Sequence, residues 1–136
     1  MTISNDLAAA RSALKAWLAA FDRRDLNTLM SLYDKDSVYA NAASPIMRGP
    51  GEIKPWFAGA FESIEGHMRF KEEASFIQGE TALLVGKYFI QNDGAEPAPG
   101  STGRVGLMFR RDSSGAWKIL FDMDNTPPDV SPADFA

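Results

Sequence analysis

Asp122 and Asp124 lie two residues apart in the run Trp117-Lys118-Ile119-Leu120-Phe121-Asp122-Met123-Asp124-Asn125. Residues i and i+2 of a strand share a face, so the two carboxylates point to the same side. Strict alternation sets Trp117, Ile119, Phe121 and Met123 on one face and Lys118, Leu120, Asp122 and Asp124 on the other. Acids in such a run either meet water or point into a cavity. An apolar cavity raises a carboxyl pKa by desolvation, and an acid tuned that way exchanges protons near neutral pH. Water at a frayed strand end would leave both as ordinary surface acids. General acid–base chemistry at Asp122 or Asp124 is the first expectation.

Other side chains could complete such a site. Tyr33, Asn41, Trp56 and Tyr88 carry hydroxyl, amide or indole groups able to line a cavity. Asn41 and Tyr33 would position a substrate oxygen, while Trp56 and Tyr88 serve either ligand or core. Arg104 opens the strand beside the acids, where it would pair with one of them, hold an anionic substrate, or face water at the sheet edge. The register of the hairpin Asp112-Ser113-Ser114-Gly115 decides, because a one-residue slip exchanges the faces. His67, the only histidine, starts a strand just after a helix and is expected partly exposed at the cavity mouth, near a substrate. With a single histidine and no cysteine, no metal and no cofactor are expected. Gly49-Pro50-Gly51 lacks the lysine of a phosphate loop and marks only a helix start.

These residues need a scaffold, and 136 residues suffice for one domain with its own core. Hydrophobic content of 45% and charged content of 24% are those of an ordinary globular protein rather than a disordered one. The absence of cysteine excludes disulfides and a thiol nucleophile. A net charge of −4 argues against nucleic acid as a partner. Met1 to Asp6 has neither the basic nor the apolar region of a signal peptide, and no stretch is long and apolar enough for a membrane span. A cytoplasmic location without membrane contact is the expectation.

Leu7, Ala10, Leu14, Trp17, Leu18 and Phe21 recur at helical spacing after a candidate cap at Ser4. Asp25 can cap a second helix with apolar positions Leu26, Leu29, Met30 and Tyr33. Ser37 to Ala40 reads as a brief strand, followed by a loop from Asn41 to Met47. A third helix carries Ile53, Phe57, Phe61 and Ile64, its regular part starting near Lys54 so that Pro55 sits in the first turn. Strands follow at His67 to Ile77, Thr81 to Gln91 and Arg104 to Arg111, before the strand that bears the acids. The strand Thr81 to Gln91 is apolar on both faces, Leu83, Val85 and Phe89 opposing Ala82, Leu84, Tyr88 and Ile90, which marks it as sandwiched. Asn92 to Gly103 is a long hairpin loop. Helices first and an antiparallel meander afterwards make an α+β domain over residues 1–126, with a proline-rich tail at 127–136.

That order of elements resembles the nuclear transport factor 2-like superfamily, which includes ketosteroid isomerases, SnoaL-like polyketide cyclases and limonene epoxide hydrolases. The resemblance rests on Ala20-Phe21-Asp22-Arg23-Arg24-Asp25-Leu26, Leu32-Tyr33-Asp34-Lys35-Asp36, Arg48-Gly49-Pro50-Gly51-Glu52-Ile53 and Ser114-Gly115-Ala116-Trp117-Lys118-Ile119. It implies a cystatin-like cone, in which a curved antiparallel sheet wraps three N-terminal helices around a pocket, and commonly a dimer. It implies no single activity. The catalytic aspartate and first-helix tyrosine of the isomerase branch fall here on Asn41 and Trp17, so the resemblance does not carry steroid isomerisation. Hydrolase and cyclase relatives place a working aspartate on late strands, where Asp122 and Asp124 correspond.

Two functions stay open. One is a cofactor-free lyase, isomerase, cyclase or hydrolase acting on a small apolar molecule. The other is a non-catalytic ligand-binding or oligomerisation module. Helices on one side of the sheet leave the other side to a second copy, so a homodimer is expected to bury Trp117 or Phe121, Phe89 or Val85, and part of Met108 or Phe109.

Overall fold

Three helices lie against a curved, unclosed sheet of six strands in the computed structural model, which describes residues 3–136. The order is α1 (Ile3–Arg23), α2 (Leu26–Ser31), β1 (Tyr33–Ala40), β2 (Met47–Arg48), α3 (Gly49–Ser63), β3 (His67–Gln78), β4 (Thr81–Gln91), β5 (Thr102–Arg111) and β6 (Trp117–Asn125). In space the strands run β2-β1-β6-β5-β4-β3. The meander from β3 to β6 is antiparallel, as expected, but β1 joins β6 in parallel. The sheet is therefore mixed.

α1 begins earlier than expected, so Ser4 lies inside it rather than capping it. α1 turns into α2 through Arg24, whose φ of 58° is one that glycine usually supplies. Arginine is held there because its guanidinium donates to the carbonyls of Phe21, Ile64 and Gly66 at 2.8, 2.9 and 2.8 Å. One side chain thereby ties the end of α1 to the connection between α3 and β3. Asp25 caps α2 by accepting from the Thr28 N–H at 3.1 Å.

Tyr33 does not end α2. It opens β1 opposite Ile119, whose N–H donates to the Leu32 carbonyl at 2.8 Å. β1 is thus longer than the expected strand, and Met47–Arg48 forms a short partner strand where a loop was expected. α3 starts at Gly49, not near Lys54. Pro50 fills the first turn and the Glu52 carboxylate accepts from the Arg48 N–H at 2.7 Å. Pro55 consequently sits inside the helix, where the carbonyl it leaves without a partner, that of Gly51, is in an exposed turn open to water.

The decisive irregularity is in β6. Phe109 pairs with Ile119 and Met108 with Phe121, so Leu120 is an extra residue. This β-bulge shifts the alternation by one. Trp117 and Ile119 point inward, 7% and 0% exposed, and beyond the bulge Asp122 and Asp124 also point inward while Phe121 and Met123 turn out. The single apolar face expected for Trp117, Ile119, Phe121 and Met123 is divided between the two sides.

Two glycines shape the inner face. A Cβ on Gly86 would lie 2.5 Å from the Phe70 ring, and one on Gly103 would overlap the Tyr88 hydroxyl and lie 2.5 Å from the Asn125 carbonyl oxygen. Both rings can lie across the sheet only because those side chains are missing. On the outer face, the chain after β6 folds back into a short 3-10 helix, Pro132–Phe135. Phe135 packs on Phe89 with ring centroids 5.8 Å apart, and Asp129 bonds Arg104.

Candidate active site

The open end of the curved sheet encloses a cavity of about 300 Å³. This is the lower end of the about 300–1,000 Å³ range usual for small-molecule sites. Its walls are largely apolar, and the aromatic side chains in them include Trp17 from α1, Tyr39 from β1, Trp56 and Phe57 from α3, Phe70 from β3 and Tyr88 from β4. Tyr39 stacks on Phe57 with centroids 5.4 Å apart, and Trp56 meets Tyr39 edge-on at 5.2 Å. Asp122 and Asp124 are the carboxylates in this wall, and no lysine or arginine lines it.

Each acid is held by a tyrosine of β1. The Tyr33 hydroxyl donates to Asp122 Oδ2 at 2.8 Å, and the Tyr39 hydroxyl donates to Asp124 Oδ2 at 3.2 Å. In the parallel register Tyr33 lies opposite Ile119 and Tyr39 opposite Asp122, so each hydroxyl reaches forward along β6 to its acid. Behind Tyr33, the Trp17 indole N–H donates to the phenol oxygen at 3.1 Å. Asp122 is 4% exposed, and Tyr33, at 3% exposed, lies behind the cavity wall rather than in it.

Burial dominates the electrostatics. Desolvation pushes the Asp122 carboxyl up to about 7, with the Tyr33 hydrogen bond pulling it down and Asp124 pushing it further up. Asp124 is also raised by desolvation, against the hydrogen bond from Tyr39. Tyr33, Tyr39 and Tyr88 are all raised by desolvation and by the nearby carboxylates, so their hydroxyls keep their protons. The arrangement is a largely apolar chamber with two carboxyl groups and several hydroxyl donors.

Asn41 sits at the mouth. Its Oδ1 accepts from the Ala43 N–H at 2.8 Å and from the Ser44 hydroxyl at 3.1 Å, which fixes the amide. The Nδ2 is buried beside the Tyr39 phenol, whose pKa the Asn41 amide lowers by hydrogen bonding, against the desolvation that raises it.

Of the residues singled out in the sequence, Asp122, Asp124, Asn41, Trp56 and Tyr88 line the same cavity, and Tyr33 stands directly behind it. Arg104 and His67 do not. Arg104 is flanked in β5 by the inward Gly103 and Val105, so it points outward, where it pairs with Glu73 at 2.8 Å and Asp129 at 2.9 Å. His67 precedes the inward Met68 and is half-buried on the outer side with Arg69. Neither can touch a ligand in the cavity. Tyr39 went unnoticed in the sequence, although period-two spacing from Asn41 points back to it. Among the described residues no cluster of three or more His, Cys, Asp or Glu could hold a metal ion, and no helix is long and apolar enough to cross a membrane.

The chain belongs to the SnoaL-like domain family, whose model matches residues 14–117. Asp122 and Asp124 lie just beyond that span. Among solved structures, it is similar to a ketosteroid isomerase-like protein from Erwinia carotovora atroseptica, at 20% identity and a TM-score of 0.76, over 93% of this chain and 98% of that one. A protein of the NTF2-like family from Streptomyces avermitilis, assigned provisionally as a dehydratase, is 23% identical with a TM-score of 0.77, over 93% and 99% of the two chains. An NTF2-like protein with a cystatin-like fold from Novosphingobium aromaticivorans is 19% identical with a TM-score of 0.78, over 96% and 87%. At these identities the likeness shows the fold alone. No curated protein matches the chain significantly.

The buried acid makes stability depend on pH in a definite direction. A free aspartate titrates at about 3.9, whereas Asp122 in the fold titrates at about 7. The folded state binds this proton more tightly, so the contribution of Asp122 is full below about pH 4 and is lost as pH rises to about 7. The loss is of order 4 kcal/mol at about 1.36 kcal/mol per pKa unit. Asp122→Asn keeps the shape without the titration. Urea unfolding at about pH 5 and about pH 8 should show the wild type losing stability relative to the variant at the higher pH; parallel behaviour would remove the case for a buried, titrating Asp122.

Proposed function

We propose that the protein is a cofactor-free acid–base catalyst acting on a small apolar molecule that carries a carbonyl or hydroxyl oxygen. The observation that carries this reading is the Asp122–Asp124 pair in a largely apolar cavity, each acid held by its own tyrosine. Two carboxyls whose surroundings hold them at different pKa values divide naturally into an acid and a base. Asp122, the more deeply buried, is the proton donor; Asp124, nearer the mouth, is the base. Asn41, in the same wall, is the further group placed to orient the substrate oxygen.

In this scheme Asp124 takes a proton from the carbon next to the oxygen-bearing carbon. The electron pair moves toward the oxygen or expels it, and Asp122 delivers a proton to that oxygen. Reprotonation of carbon completes an isomerisation, whereas departure of the protonated hydroxyl as water completes a lyase reaction. Dehydration, the activity provisionally given to the Streptomyces avermitilis neighbour, is of the second kind. The lack of any cationic side chain in the wall argues for an uncharged substrate over an anionic one.

Proton abstraction can be read without knowing the natural substrate. Bicyclic ketones incubated with the protein in D2O should exchange hydrogen for deuterium next to the carbonyl, followed by NMR. Asp124→Asn and Asp122→Asn should each slow exchange by about 10²-fold or more, while quenching of tryptophan fluorescence still reports binding. Binding with no exchange in the wild type would favour the non-catalytic module.

We also propose a homodimer through the outer sheet face, with a different contact set from the one the sequence suggested. Trp117 and Phe109 are inside, and Phe89 is covered by Phe135. The uncovered apolar strip consists of Phe76, Leu83, Val85, Met108, Phe121 and Met123, with Phe76 at 59% and Met123 at 51% exposure. Burying such side chains yields about 1.5–3 kcal/mol each. Light scattering should give a dimer, and Phe121→Asp a monomer that keeps its cavity; a monomeric wild type at high micromolar concentration would refute it.

A further inference from the structure

The chain of hydrogen bonds behind Asp122 has only one allowed direction. An indole N–H donates and cannot accept. The Tyr33 oxygen receives it at 3.1 Å, and the hydroxyl proton is left to go to Asp122 Oδ2 at 2.8 Å. A phenol raised well above its usual pKa keeps that proton over the whole physiological range, so it stays available to donate to Asp122. Oδ2 is thus occupied by an incoming hydrogen bond from behind the wall, whereas Asp122 is itself part of the wall.

We propose that Trp17 and Tyr33 are positioning residues which hold the exchangeable proton of Asp122 on Oδ1, the oxygen left to the cavity. The inference deepens the acid–base reading, because it states which oxygen of the acid meets the substrate and why. Rotation of the carboxyl would carry the proton onto an oxygen facing another O–H, with two hydrogens between the same pair of oxygens. Trp17 blocks the alternative in which Tyr33 turns its hydroxyl away, since the indole hydrogen already fills that side. The other groups facing the acid do not compete for Oδ2: Tyr39 donates to Asp124, and Tyr88 on β4 makes no hydrogen bond to Asp122. The result is an acid whose proton is aimed before any ligand arrives. It selects ligands with an acceptor oxygen at that end of the cavity.

The relay is testable in ligand-free protein, so its failure is distinct from failure of the catalytic reading. Aspartate carboxyl carbons followed by NMR should show Asp122 titrating at about 7. Tyr33→Phe removes a donor to the ionised form and should raise the midpoint by about one unit. Trp17→Phe keeps a ring at that position but loses the indole donor, which weakens Tyr33 as a donor, so the midpoint should move in the same direction by less. Because the two residues act in series, the double variant should shift no further than Tyr33→Phe alone. A loss of packing alone would not give that pattern. In the wild type, the Trp17 indole N–H resonance should move with the Asp122 midpoint. An indole resonance indifferent to that titration, an unmoved midpoint in either folded single variant, or additive shifts would overturn the proposal. Loss of deuterium exchange with the relay intact would instead count against the acid–base reading alone.

Discussion

A carboxyl group enclosed by aromatic rings is costly to ionise, and the structure around Asp122 is arranged to meet that cost. An unpaired buried carboxylate would be penalised by several kcal/mol. A protonated one with a hydrogen-bonded partner is tolerated, since each such bond contributes about 1 kcal/mol net. The Tyr33 hydroxyl gives the ionised form some support, and desolvation gives the neutral form more. The balance leaves the group near neutrality, where it can both hold and release a proton.

Everything that achieves this comes from elements distant in sequence. α1 brings Trp17, β1 brings Tyr33 and Tyr39, and β6 brings the two acids. The parallel pairing of β1 with β6 sets Tyr33 opposite Ile119 and Tyr39 opposite Asp122, from where each hydroxyl reaches forward along β6 to its acid. The bulge at Leu120 then allows one strand to contribute Trp117 and Ile119 to the core and, starting three residues after Ile119, two acids to the cavity. Without the extra residue, a strand that buried Trp117 and Ile119 would turn Asp122 and Asp124 to the outer face. Gly86 and Gly103 make room for the rings of Phe70 and Tyr88, which complete the wall.

The period of apolar residues made the helices and the strands of the meander legible, because burial on one face imposes that period on the sequence. The inward turn of Asp122 and Asp124 was foreseen only as one of two alternatives, and the argument from strict alternation misassigned their strand neighbours. A bulge has no local signature in Trp117 to Asp124; it is specified by Phe109 and Met108 on the facing strand. The same limit applies to Tyr33, which fits a helical stripe and becomes a strand residue only through its partner Ile119. Arg104 looked like a site residue because it neighbours the acids along the sheet, yet register sends it outward to Glu73 and Asp129. Long-range register, rather than residue type, decided each of these cases.

The central claim is that Asp122 holds a proton inside the cavity near neutral pH. Infrared difference spectroscopy of the ligand-free protein tests it most directly, because a protonated carboxyl has a carbonyl stretch separate from that of a carboxylate. The account predicts such a band at neutral pH, fading as pH rises through about 7 and missing from Asp122→Asn. A wild-type spectrum without the band, or a band that persists unchanged in Asp122→Asn, would contradict it.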